Sequence, residues 1–145
     1  LSGKCACLNN MGEIYYLQGN YSKALKYCED ALKIAEQLGD RSRKTRCINC
    51  IGEIYRKKGN FLEALKRYEE ALRIAEQLGD LSETSACLNN IGLIFYAQGK
   101  YPEALRYYEQ ALEILIELGL SESPNGRIVI ENINNVKNKM KLNYY

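Results

Sequence analysis

Apolar side chains recur along this chain at intervals of three and four residues, which is the spacing of one face of an α-helix. The first stretch places them at Leu8, Met11, Ile14 and Tyr15. The second stretch places them at Ala24, Leu25, Cys28, Ala31, Leu32 and Ala35. Gly19 lies between the two stretches, where it can take the left-handed conformation that ends a helix. The pattern therefore predicts two amphipathic helices joined by a tight turn.

This predicted helix pair is repeated. Residues 8–40 recur at 48–80 and again at 88–120, a spacing of 40 residues. Helix-capping residues recur with it, and Asn60 and Asp80 are each followed three residues later by Glu, as in a capping box. Because one helix pair cannot bury its own apolar face, neighbouring repeats must stack to form the core. We therefore predict an all-α solenoid of three helix-turn-helix repeats, spanning about 1–39, 40–79 and 80–119.

Small residues stand where the helices of this solenoid are expected to cross. Gly12 and Ala24 would allow the two helices of one hairpin to approach closely, and Ala31 would do the same against the next repeat. With Tyr15 and Cys28, these residues resemble the signature of the tetratricopeptide repeat (TPR), in its lengthened form found in Pins/LGN-type and kinesin-light-chain-type proteins. The fourth position of each repeat departs from that signature, since Leu8, Ile48 and Leu88 stand where the family has Trp.

The resemblance implies a right-handed superhelical solenoid whose first helices line a concave groove for a protein or peptide segment. The groove positions that match, by residue, are Asn9, Asn10, Glu13, Tyr16, Arg46, Asn49, Glu53, Arg56, Asn89, Asn90 and Tyr96. Asn forms helices poorly, so its recurrence at positions 9, 49 and 89 needs a reason. Its amide can pair with the backbone of an extended ligand, or it can bond between neighbouring first helices. Both interpretations remain open from the sequence.

Basic residues are concentrated in the second repeat. Residues 41–80 have a net charge of +4, whereas residues 81–120 have a net charge of −3. Arg46 and Arg56 fall on the groove side, near the expected positions of Tyr16 and Tyr96, and Arg and Tyr are common anchors of protein interfaces. The pattern favours a basic, aromatic-edged centre for an acidic segment. The alternative is a charged face that is simply solvated.

The last segment, residues 121–145, breaks the repeat. A loop is predicted first, followed by a helix with an apolar stripe at Ile130, Ile133, Val136 and Met140. We predict that this helix caps the third repeat, with fraying at residues 143–145. The alternative is the start of a further repeat.

The composition argues against catalysis and against metal or cofactor binding. The chain has no His, which is the commonest general base, and it shows no phosphate loop and no metal-ligand spacing. Cys7, Cys47 and Cys87 occupy one repeat position, where a small apolar residue would pack between helices, and we expect reduced thiols. Cys47 and Cys50 form a C-x-x-C, but no second pair follows, so a redox or zinc site is disfavoured.

The sequence thus predicts a cytoplasmic, non-enzymatic scaffold that binds a protein or peptide segment. The net charge of +2 and the acidic third repeat oppose a nucleic-acid partner, and no apolar run is long enough for a membrane span. The alternative is a regulatory or oligomerising segment of a larger signalling protein. Self-association through an open end of the solenoid also remains open.

Overall fold

The computed structural model describes residues 1–143, and residues 144 and 145 lie outside it. The described residues form seven α-helices and no strand, so the all-α prediction is confirmed. The helices are α1 (Ser2–Leu17), α2 (Tyr21–Leu38), α3 (Arg41–Lys57), α4 (Phe61–Leu78), α5 (Leu81–Ala97), α6 (Tyr101–Glu117) and α7 (Pro124–Asn143). None of these helices is both long and apolar enough to cross a membrane.

Turn glycines and capping side chains set the ends of the helices as the sequence indicates. Gly19 has a φ of 78° and Gly39 a φ of 65°, the left-handed conformation in which a side chain would be strained. The Asn20 side chain accepts a hydrogen bond from the backbone N–H of Lys23 at the start of α2. Asp40 does the same for Arg43 at the start of α3. These bonds satisfy backbone donors that a helix leaves free at its first turn.

The chain divides into two units, of which the first is Leu1–Leu78. In this unit α2 packs against both α1 and α3. The small residues Ala24 and Cys28 of α2 are fully buried with Ile51 and Ile54 of α3. A second cluster joins Cys5 of α1 to residues of α2 and to Cys47 of α3. Small side chains on α2 therefore let the neighbouring helices approach closely.

The face of α1 corresponding to this packed face of α3 is exposed, contrary to expectation. Met11 is 38% exposed and Ile14 is 54% exposed, whereas their repeat counterparts Ile51 and Ile54 are 0% and 1% exposed. Cys7 is also exposed, although the sequence pattern places it between helices. The physical reason is a difference in neighbours. Helix α2 packs on this face of α3. No helix described in the first unit packs on the corresponding face of α1.

The second unit begins at Gly79 and contains α5, α6 and α7. Helix α7 packs mainly against α6 and approaches α5. Its buried hydrophobic side chains are Val129, Ile133 and Val136, so Val129 takes the place predicted for Ile130, which is exposed. Ile130 is one position further along α7 than Val129, a rotation of about 100° that moves it off the buried face. The fraying predicted for residues 143–145 lies outside the described residues, because Tyr144, Tyr145 and the side chain of Asn143 are not described.

Candidate functional site

The first group of predicted site residues in the first unit surrounds Arg46. Asn9 and Asn10 of α1 and Arg46 of α3 line a cavity of about 200 Å³. Oδ1 of Asn9 is buried and has no hydrogen-bond partner among the described residues. A buried acceptor without a partner costs free energy, because it has lost its hydrogen bonds to water. A ligand donor such as a peptide N–H would remove this cost if the Asn9 amide turned toward the cavity.

Two arginines reach the same cavity, and they differ in their partners. Arg43 forms an ion pair with Asp40, with 3.1 Å between Nε and Oδ2, and it donates a hydrogen bond to the backbone oxygen of Ser2. Arg46 is exposed on α3, and within residues 1–142 neither a carboxylate nor any other acceptor bonds to its guanidinium. The Arg46 charge therefore remains available to a carboxylate from outside the chain.

The second group of predicted site residues centres on Glu53. The hydroxyl of Tyr16 donates to Oε1 of Glu53 at 3.0 Å, which links α1 to α3. Nη2 of Arg56 lies 3.9 Å from the same carboxylate oxygen. Burial, followed by the charge of Glu53, raises the pKa of the Tyr16 hydroxyl well above its ordinary value. Tyr16 is therefore a neutral hydrogen-bond donor here, and Glu53 partly neutralises Arg56.

A cavity of about 260 Å³ opens beside this second group. Glu13, Tyr16 and Glu53 line it together with Cys28 and Cys50, which were not among the predicted site residues. The sequence did contain a signal for this cavity, since Cys28 stands where the other two repeats have Tyr68 and Tyr108.

Polar residues of α5 form contacts within the second unit. Oδ1 of Asn89 accepts a hydrogen bond from Nδ2 of Asn132 on α7, with 3.0 Å between the atoms. Asn89 and Asn90 also line a cavity of about 140 Å³. The Tyr96 ring packs edge-on against Tyr101, with ring centroids 5.5 Å apart. In this unit, then, one recurring Asn stabilises helix packing. Its counterpart on α3, Asn49, lies half-buried in the first unit.

The pKa values of two buried thiols in the first unit are raised. None of the six cysteines forms a disulfide. Burial raises the pKa of Cys47 to about 12. A hydrogen bond with Cys50 and then burial raise the pKa of Cys28 well above its ordinary value. Because the thiolate is the nucleophile and the metal ligand, neither environment activates sulfur. Among the described residues, no three Cys, Asp or Glu side chains are grouped as metal ligands.

Solved structures with the same fold include three whose helices match most of this chain. The apo form of RapI has a TM-score of 0.86 at 18% identity, over 96% of this chain and 50% of its own. A Rap protein solved in complex with Competence and Sporulation Factor has a TM-score of 0.83 at 23% identity. The match covers 92% of this chain and 37% of the Rap chain. The TPR-like repeats of a protein from Podosopora anserina, described as a kinesin light chain, have a TM-score of 0.79 at 16% identity. The match covers 94% of this chain and 66% of that protein. The chain thus spans about half the length of RapI, and at these identities the likeness establishes the fold.

Sequence comparison with protein families gives the same result. No curated protein matches the chain. Family models of the tetratricopeptide repeat match residues 44–117 and residues 5–38. Together with the helical hairpins and the internal spacing of 40 residues, these matches assign the chain to a family. It belongs to the tetratricopeptide repeat family.

Proposed function

We propose that this chain is a non-enzymatic scaffold that binds an acidic protein or peptide segment against α1 and α3. The observation that carries the proposal is the cavity beside Arg46. Arg46, which has no acceptor among the described residues, and Asn9, whose buried Oδ1 has no donor among them, both line this cavity. A peptide supplies the two complementary groups, since its backbone N–H can bond to Asn9 and an Asp or Glu side chain can bond to Arg46.

Two further facts support a segment of this kind. Residues 41–80 have a net charge of +4, which favours the approach of an acidic partner over a basic one. A Rap protein of the same fold has been solved in complex with Competence and Sporulation Factor. The fold alone does not specify a ligand, so the proposal rests on the two groups at Arg46.

Reversing the charge of Arg46 should weaken binding by about tenfold, which corresponds to about 1.4 kcal/mol. The test starts with a phage-displayed library of short random peptides selected against the wild-type protein, and we expect the enriched peptides to contain Asp or Glu. Their dissociation constants are then measured by fluorescence anisotropy for the wild type and for Arg46→Glu. Arg56→Glu should have a smaller effect, because Glu53 already compensates part of the Arg56 charge.

The matched control for this charge reversal is Arg73→Glu. Arg73 is an exposed residue of α4 in the same unit, so the substitution changes the net charge equally at a position away from the cavity. Helix content by circular dichroism should be the same for all three variants. Equal binding by Arg46→Glu and Arg73→Glu would contradict the proposal.

A second candidate function is self-association, and the exposed face of α1 favours it. Met11 and Ile14 form an apolar strip on α1, and Leu17 is also exposed at its end. A second copy of the chain could cover this strip by symmetric α1–α1 packing, which would bury the same residues of both copies. This candidate corresponds to the oligomerising segment considered from the sequence.

Replacing Met11 and Ile14 together with Glu should make the protein monomeric. We expect the wild type to show concentration-dependent dimers in sedimentation velocity, because the apolar strip is removed from water on association. The double variant should sediment as a monomer at every concentration. Leu62→Glu, an exposed apolar residue of α4, is the matched control and should still dimerise. A wild type that is monomeric at high concentration would eliminate this second candidate.

A further inference from the structure

The three repeats differ at one buried position, and the difference leaves a space in the first repeat. In the second repeat the Tyr68 ring lies against Gly52, where an added Cβ would be only 2.8 Å from Cε1 of the ring. The third repeat pairs Tyr108 with Gly92 in the same way. Both tyrosines are almost completely buried. A glycine on the first helix thus makes room for a phenol ring from the second helix.

The first repeat keeps the glycine but has no phenol ring. Cys28 takes the tyrosine position, and its Sγ would be 2.6 Å from a Cβ added at Gly12. The sulfur therefore occupies only the part of the space that is nearest to the glycine. Beyond it lies the cavity of about 260 Å³, whose wall includes Gly12, Cys28 and Ile54. An apolar cavity of about 150 Å³ is sufficient to bind benzene, so an aromatic ring fits the available volume.

The rim of this cavity is polar and acidic. Glu13, Tyr16 and Glu53 line it, and the Tyr16 hydroxyl and Arg56 both lie at Oε1 of Glu53. The second oxygen of that carboxylate and the exposed carboxylate of Glu13 can accept further hydrogen bonds. A phenol hydroxyl is a donor that suits such acceptors. A phosphate or a carboxylate at the same point would be repelled by the two acids.

We propose that this cavity, which lies beside Cys28 where the other repeats have the buried rings of Tyr68 and Tyr108, takes a tyrosine side chain of the bound segment. The proposal rests on the proposed function and names the anchor residue of the segment. The ring would occupy the space beyond Cys28, and its hydroxyl would donate to Glu53 or Glu13. Cys50 and Ile54 would contact the ring, and phosphorylation of the tyrosine would prevent its entry.

The first test uses the tyrosine side chain alone. We expect 4-methylphenol to shift the amide NMR signals of Gly12, Cys28 and Ile54, with a dissociation constant of about 1 mM, as is reasonable for a ligand of so few atoms. Toluene, which lacks the hydroxyl, should bind more weakly, and 4-methylphenyl phosphate should not bind. No shift with 4-methylphenol, or equal shifts with the phosphate, would overturn the proposal.

The second test fills the cavity with the residue of the other repeats. Cys28→Tyr should abolish 4-methylphenol binding, because the introduced ring occupies the same space beside Gly12. Cys28→Phe is a second variant for the same purpose if the first folds poorly, with helix content as the measure of folding. Cys28→Ala is the matched control: it leaves the space open and should retain binding. Undiminished 4-methylphenol binding in a folded Cys28→Tyr or Cys28→Phe variant would exclude this cavity as the site.

The selected peptides separate this proposal from the proposed function. Enriched peptides should contain Tyr, and their affinity should fall at least about tenfold with Cys28→Tyr, as for loss of an aromatic anchor. Peptides that lose affinity with Arg46→Glu but not with Cys28→Tyr would overturn the tyrosine anchor and leave the scaffold proposal intact. If no peptide binds while 4-methylphenol does, the cavity is a site for a free phenol, and both the tyrosine anchor and the scaffold proposal fail.

Discussion

Val136→Asp is expected to detach α7 from α6 and to lower the free energy of unfolding by about 4 kcal/mol, since it places an unpaired charge in an apolar core. Val136 is 0% exposed and shares its buried face with Val129 and Ile133. An Asp at this position would have to be desolvated or leave the interface together with α7. Urea denaturation followed by circular dichroism measures the loss. Amide hydrogen exchange should show faster exchange throughout α7 than in the wild type.

Asn135→Asp is the matched control for this substitution. It introduces the same acid one residue earlier, at an exposed position of α7, and should change stability by less than about 0.5 kcal/mol. A Val136→Asp protein with the stability of the control would mean that α7 contributes little to the core of the second unit. The capping role predicted for this helix would then be wrong.

The repeat pattern was sufficient to predict the helices and their turns, because each boundary depends on local chemistry. Gly39 needs a left-handed conformation, and Asp40 supplies a side-chain acceptor to the first turn of α3. Such signals act within a few residues and do not depend on what packs nearby. The same holds for Asp80 at the start of α5, which accepts from the backbone of Glu83.

Burial was less predictable, because it depends on neighbours that the pattern of one helix does not contain. Ile14 and Ile54 occupy the same repeat position, yet only Ile54 is covered by α2. In α7 two adjacent apolar residues compete for one buried position. Val129 is buried and Ile130 is exposed, a choice that depends on how the helix is rotated after the preceding loop.

From the sequence, the candidate site residues could be assigned to the first helices of the repeats. Which of these side chains pair with one another could not be predicted. Arg46 and Arg56 are equivalent in a charge count, but the structure gives Arg56 a partner in Glu53 and gives Arg46 none within the described residues. Side-chain pairing of this kind depends on distances across helices. The cavity at Cys28 is an intermediate case. The replacement of tyrosine by cysteine is visible in the sequence, but the volume it leaves follows only from the packing against Gly12.

Gly92→Ala is expected to lower the free energy of unfolding by about 2 kcal/mol. The added Cβ would lie 2.5 Å from Cε1 and 2.6 Å from Cδ1 of the buried Tyr108 ring, which is far too close for carbon atoms. Forced overpacking of this kind costs about 3 kcal/mol, and the better helix propensity of Ala returns about 1 kcal/mol. Urea denaturation measures the net loss. The matched control is Gly12→Ala in the first repeat. Its Cβ would meet the Cys28 thiol, which can rotate into the adjacent cavity, and the Ala24 backbone oxygen at 3.3 Å, a milder contact. Its net cost should therefore be below about 1 kcal/mol.

A double-mutant cycle distinguishes the ring contact from a general intolerance of side chains at this position. Tyr108→Cys reproduces the first repeat and should itself destabilise the protein by about 3 kcal/mol, because it removes a buried ring. In that background Gly92→Ala should cost almost nothing, because the ring is gone and the introduced thiol can rotate into the space that the ring leaves. A cost of about 2 kcal/mol in both backgrounds would place the clash in the backbone instead. If the cost of Gly92→Ala does not depend on the ring, the glycine at this position is not there to accommodate a ring. The inference that Gly12 and Cys28 leave a space shaped for a phenol would then be weakened.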